Sequence, residues 1–144
     1  MNLSAHFTLE EMTRSEYASR HGLSNDPEQP QIENLKRTCA LLEQVRNLVG
    51  KPIIVTSGYR SPEVNSAIGG SKNSQHCLGC AADIRALNLS ADELILRVIG
   101  SDIKYDQIIK EFDSWVHISV PNNSSAKPRM QRLIIDKKGT RPYK

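Results

Sequence analysis

Two sets of reactive side chains overlap in the ten residues "SQHCLGCAAD", Ser74 to Asp83. Cys77 and Cys80 form a CxxC pair, a spacing used by structural zinc sites and by thiol–disulfide chemistry. His76 and Asp83 flank that pair, and an imidazole with a carboxylate suits a catalytic metal. A further histidine, His117, lies in "WVHISV". Alternation along a strand decides which side chains share a surface. In "WVHISV" the apolar set is Val116, Ile118 and Val120, so Trp115, His117 and Ser119 face the other way. In "AADIRA", Asp83 likewise opposes Ala82, Ile84 and Ala86. If these two strands are neighbours, His76, Asp83 and His117 converge on one face. Two imidazole nitrogens and one carboxylate oxygen leave the fourth position of a tetrahedral zinc to water, whose pKa then falls to about 7.

The elements that must position these groups are legible in part. Thr8 and Glu11 have capping-box spacing and open one of several short amino-terminal helices. After "NDPEQP", with Pro30 in a first turn, Ile32, Leu35, Cys39, Leu42, Val45 and Val49 recur at helical steps until Gly50. Cys39 on that stripe is a small core residue. "IIVTS" (53–57) is a short strand, Pro62 opens a short helix to Ile68, and the loop "GGSKNSQH" leads into the strand "AADIRA". Ser90 and Glu93 form a second capping box, opening a helix to about Ile99. "YDQIIKEF" (105–112) and "WVHISV" (115–120) are strands joined by a tight turn at Asp113 and Ser114. "PNNSSAKPR" is a polar loop, "MQRLIID" a last strand, and a "KKG" turn leads to a basic tail. Helices precede and interrupt a run of strands, so the class is α+β, a single domain over 1–144 with a mainly antiparallel sheet flanked by helices.

Composition narrows the function classes. The 144 residues carry a net charge of +3, which suits approach to an anionic polymer such as nucleic acid or cell wall. Aromatic content of 5% argues against a base-stacking nucleic-acid module. No apolar run approaches the ~20 residues of a membrane span, so no membrane insertion is expected. The start, "MNLSAHFTLEEMTRSEY", lacks a basic segment followed by an apolar one, so synthesis in the cytoplasm without a secretory signal is expected. Three cysteines make an odd count, in keeping with a reducing compartment.

The segments "SGYRSPEVNSAIGGSKNSQHCLGCAADI" and "DQIIKEFDSWVHIS" resemble the zinc D-alanyl-D-alanine carboxypeptidase and L-alanyl-D-glutamate endopeptidase family. That family includes phage endolysins and shares a fold and zinc site with the hedgehog signalling domain. Its S-x-H-x-x-G-x-A-x-D pattern is met at Ser74, His76, Gly79, Ala81 and Asp83, and its W-V-H pattern at Trp115 and His117. The S-G-[YF]-R-S turn is met from Ser57 to Ser61, and the likeness spans roughly residues 7–120. The resemblance implies one zinc ion per chain held by His76, Asp83 and His117. It also implies a peptidase acting on peptidoglycan stem peptides; a monomer with no nucleic-acid partner is expected. Cys77 and Cys80 fall at variable positions of the pattern, and no second CxxC exists to complete a structural site.

Amide hydrolysis also needs a base. Some branches of the family place an acid three residues before the last histidine, where this chain has Ser114. Hedgehog-like members carry a glutamate six before, which matches Glu111, at the end of the hairpin arm opposite His117. Asp113, four before, is the alternative base and suits the turn. Resemblance further implies that Arg60 approaches the metal, polarising the scissile carbonyl or holding a substrate carboxylate, where a fixed cation meets growing charge on oxygen. Ser74 and Trp115 are candidate substrate contacts, and Gln107 is a weaker neighbour. His6 and His21 fall outside the motifs. A phage-type lysis enzyme, acting on the wall after release or as a virion component, is the expected setting. The alternative is a non-catalytic zinc-binding or virion structural domain of the same fold.

Overall fold

The structure is a computed structural model that describes residues 1–143. Two short helices, α1 (Leu9–Thr13) and α2 (Glu16–His21), precede the long α3 (Gln29–Val49). Strand β1 (Ile53–Ser57), helix α4 (Pro62–Ala67), a 3-10 turn (Gln75–Leu78), strand β2 (Ala81–Ala86) and helix α5 (Ala91–Ile99) follow. The chain ends in β3 (Gln107–Glu111), β4 (Trp115–Ser119), β5 (Gln131–Asp136) and β6 (Gly139–Pro142). All strands join one six-stranded sheet in the order β1-β2-β4-β3-β5-β6. The class is α+β, as the order of patterns in the sequence implies. No helix among the described residues is long and apolar enough to cross a membrane.

Both capping boxes form, Thr8 with Glu11 and Ser90 with Glu93. Helix α3 starts with Pro30 in its first turn and stops at Gly50, whose left-handed φ of 65° a side chain would resist. It buries Leu35, Cys39, Leu42, Val45 and Val49. Burial pushes the Cys39 thiol up to about 12, so this cysteine is inert core. Helix α5 buries Leu94, Ile95 and Val98. Both helices pack on the sheet face formed by Ala82, Ile84, Ile108, Val116 and Ile118, all at or below 1% exposure. With the apolar set committed to the helices, the alternate side chains of β2, β3 and β4 are presented on the opposite face.

Three local features differ from the sequence expectation. The β3–β4 turn centres on Phe112 and Asp113, with φ of 53° and 52°, and closes by Ser114 N–H donating to the Glu111 carbonyl at 3.0 Å. Such a left-handed pair matches strand twist in a hairpin, although Phe and Asp carry a steric cost of about 1–2 kcal/mol per residue there. The polar loop after β4 carries the chain beyond β3, so β5 lies parallel to β3 while the other pairings are antiparallel. The basic tail is itself a strand: β6 folds back on β5 around Gly139 (φ 99°), with the Arg141 guanidinium on Asp136 at 2.8 Å. Pro142 is tolerated there because β6 is the sheet edge.

Candidate metal centre

Strand register brings the donors together. Asp83 of β2 is the direct antiparallel partner of His117 of β4, and His117 is in turn paired with Ile109 of β3. His76 arrives from the 3-10 turn, whose first backbone N–H groups are capped by Ser74: its Oγ accepts from His76 N at 3.2 Å. The turn ends at Gly79 (φ 80°), where a Cβ would lie 2.5 Å from the Gln31 carbonyl oxygen, so glycine alone lets the turn sit against α3.

His76, Asp83 and His117 are 2%, 8% and 8% exposed, and one donor atom of each lies within 4.8 Å of the others. His76 Nε2 and His117 Nδ1 stand 3.3 and 3.2 Å from the same Asp83 Oδ1. Donors held about 2.0–2.1 Å from a tetrahedral zinc are roughly 3.3 Å apart, so the two distances to Asp83 suit the ion. The tautomer also fits. His76 Nδ1 donates to the Gly58 carbonyl at 2.6 Å, which turns Nε2 toward Asp83 and His117. Gly58 is fixed in its turn: a Cβ there would collide with the Met12 carbonyl, which already accepts from Tyr59 N at 2.7 Å. Burial pushes the Asp83 carboxyl up, but His76 and His117 outweigh it and hold the group below the ordinary carboxylate range.

Glu111, at the end of β3, shares the face of Ile109 and His117. Its Oε1 accepts from the Trp115 indole N–H at 3.1 Å, and its Oε2 lies 4.0 Å from His117 Nδ1. Burial, and then the Asp83 charge, raise the Glu111 carboxyl above its usual range, offset in part by His117, Trp115 and Arg60. Asp113 is elsewhere. It is exposed and bound to Lys110 at 2.8 Å, on the helix side of the sheet, so the alternative base lies away from the donors. Ser114 accepts from the Arg85 guanidinium at 2.7 Å.

A cleft of about 770 Å³ opens over the donors and includes Arg60, Ser74, Gln107, Glu111 and Trp115 among its lining. Arg60 is tied by its backbone N–H to the His76 carbonyl at 3.2 Å, and its buried Nε has no hydrogen-bond partner. It also borders a second depression of about 400 Å³ beside α1 and α2. Burial pushes both Cys77 and Cys80 thiols up, and neither belongs to the metal-capable group found among the described residues. His6 pairs with Glu43 and His21 stacks on Tyr17, both remote from the cleft.

Sequence reasoning missed Arg129 and Gln75, which line the cleft, and the buried Asp106 that both of them hydrogen-bond. One signal was available: Asp106 precedes an apolar strand, where a buried carboxylate needs a partner. Nothing marked Arg129 within a polar loop.

An α+β sheet carrying a buried two-histidine, one-carboxylate group beside a glutamate offers the donor set of a single-zinc site. The sequence profile of the Peptidase M15 family matches residues 5–119, and the chain belongs to that family of zinc peptidases. Zinc is its cofactor. A 46-residue stretch, 31% of this chain, is 48% identical to the zinc D-Ala-D-Ala carboxypeptidase of Streptomyces albus G. That match spans 18% of the relative's length.

Proposed function

We propose that the protein hydrolyses an amide bond in the stem peptides of peptidoglycan, with His76 Nε2, His117 Nδ1 and Asp83 Oδ1 as the zinc ligands. When bound, zinc supplies a Lewis acid and lowers the pKa of water to about 7. Glu111 Oε2 takes a proton from the attacking water and returns it to the leaving amine. Trp115 holds the other Glu111 oxygen, so the carboxylate cannot rotate away from the cleft. Arg60 offers a fixed cation to the carbonyl oxygen as negative charge grows there. Ser74 and the face of Trp115 contact the peptide.

The observation that carries this reading is Glu111. Its carboxyl is buried, raised above the usual range, tied at one oxygen and turned at the other toward His117, which is the placement a base for amide hydrolysis needs. The substrate class follows the family and the relative's printed activity. The setting we infer is a phage-type lysis enzyme acting as a monomer, whose charge of +3 suits an anionic wall.

The test is mass spectrometry of purified muropeptides after incubation with the protein, with and without a chelator. A chelator-sensitive mass loss is expected, and the fragment released tells removal of a terminal D-alanine from cleavage between L-alanine and D-glutamate. Intact muropeptides from protein with stoichiometric zinc would leave the non-catalytic zinc domain in its place.

A further inference from the structure

The cleft contains a second fixed cation that lies outside the family-matched residues 5–119. Arg129 ends the polar loop that carries the chain beyond β3, and Asp106 grips it from below. Asp106 is 3% exposed, and its Oδ1 accepts from Arg129 N and Nε, each at 3.1 Å. Its Oδ2 accepts from Arg129 Nε at 3.1 Å and Nη2 at 2.6 Å. Gln75, the neighbour of His76 in the 3-10 turn, donates to the same Oδ2 at 3.1 Å, and to the Val120 carbonyl and Asn122 Oδ1. One edge of the guanidinium is thus fully engaged. Its Nη1 group has no hydrogen-bond partner among the described residues, and the side chain, 56% exposed, lines the cleft.

We infer that Arg129 is a carboxylate-binding subsite of this cleft, its free guanidinium edge presented by the buried Asp106 to a carboxylate of the peptide substrate. Three observations converge. The guanidinium is the one side chain whose planar donors pair with a carboxylate edge to edge. An exposed arginine usually loses rotamer freedom on binding, and the Asp106 clamp removes most of that cost beforehand. The charge balance also suits an anion, because a divalent ion on the donors turns the sum of Arg60, Arg129, Asp83, Glu111 and Asp106 positive. Position sets which carboxylate is reached. Asp106 immediately precedes β3, whereas Glu111 closes it and Ile109 beside His117 lies between. At about 3.3 Å per residue, Asp106 is roughly 10 Å along the strand from the His117 row. The arginine therefore reaches a carboxylate one to three residues from the scissile bond. Stem peptides offer two there, the terminal carboxylate and the α-carboxylate of D-glutamate.

The inference rests on the peptidase reading of the same cleft, and its test separates the two. The probes are a stem pentapeptide, the same peptide with its terminal carboxylate amidated, and one with the D-glutamate α-carboxylate amidated. Binding to the zinc-loaded Glu111→Gln protein is followed by calorimetry, with Arg129 intact, Arg129→Ala and Arg129→Lys. With Arg129 intact, one of the two amides binds about 10- to 100-fold more weakly than the acid, and that amide names the carboxylate. Arg129→Ala brings acid and amide to equal affinity, and Arg129→Lys restores part of the preference. If Arg129 only anchors its loop, acid and amides weaken together and their ratio is unchanged, which overturns the subsite. Equal binding of all three peptides, or no binding, with Arg129 intact also overturns it. Failure of the peptidase reading is seen separately, as absent hydrolysis by the unmutated protein.

Discussion

Trp115→Phe isolates one hydrogen bond at the reacting centre. Phenylalanine keeps an aromatic ring against Phe112, whose ring centroid lies 5.8 Å from that of Trp115, and removes the indole N–H that holds Glu111 Oε1 at 3.1 Å. A hydrogen bond to a charged group is worth about 1.5–3 kcal/mol, and 1.36 kcal/mol corresponds to one pH unit. Because the N–H favours the ionised carboxylate, its loss raises the Glu111 pKa further above its usual range. The side chain is 18% exposed, so water replaces part of what is lost, and a rise of about one pH unit is expected. A base works deprotonated, so the acid limb of kcat/KM against pH moves upward by that amount. Activity well above the limb stays near that of the parent, and below it falls about tenfold. The assay is kcat/KM across pH on one peptide, with zinc content measured at each point. The same acid limb is absent from the residual activity of Glu111→Gln. A uniform loss at every pH, with the limb unmoved and zinc retained, would refute the coupling and leave Trp115 as a substrate contact alone.

Other perturbations follow from the same geometry. Glu111→Gln keeps zinc, by metal analysis, and loses about 10²- to 10⁴-fold in hydrolysis, whereas the exposed Asp113→Asn stays within about twofold. Gly58→Ala drives a Cβ against the Met12 carbonyl and displaces the oxygen that fixes His76. Zinc affinity then falls about 10- to 100-fold in competition with a chromophoric chelator. Burial raises the Asp106 carboxyl, but Arg129 outweighs it and the group sits below the ordinary range. Its contribution to stability is therefore present above the unfolded pKa of about 3.9 and lost as pH falls through the folded value. Asp106→Asn accordingly costs about 1–3 kcal/mol in urea melts at pH 7, and progressively less toward pH 3.

The grouping of His76, Asp83 and His117 was legible because it depends on short-range information. Strand alternation turned Asp83 and His117 to one side, and the spaced motif fixed His76 seven residues upstream. Register then did what alternation alone could not, pairing Asp83 with His117 directly. The hairpin was placed one residue late because Phe112 and Asp113 adopt left-handed backbone without the glycine or asparagine that usually announces it. The displacement matters, since it sends Asp113 to Lys110 and leaves Glu111 in the cleft. The parallel β3–β5 pairing and strand β6 were invisible for another reason. Both are decided by long-range closure of the sheet, and the exposed "GTRP" segment has no alternation to read. Arg129 was illegible for the same cause: its partner Asp106 is distant in sequence and becomes its neighbour through the pairing of Gln107 with Gln131.

The Met12 carbonyl that receives Tyr59 and blocks any side chain at Gly58 belongs to α1, and the Asn25 amide stitches the Thr13 and Tyr59 carbonyls together behind it. The oxygen that orients His76 is thus held in place by the first twenty-five residues, none of which belongs to the His76, Asp83 and His117 group. Ion capture and docking of this amino-terminal cuff are therefore expected to be coupled. Each favours the other by the same free energy. Chelation is expected to loosen the cuff, and trimming of the cuff by a protease to weaken metal binding.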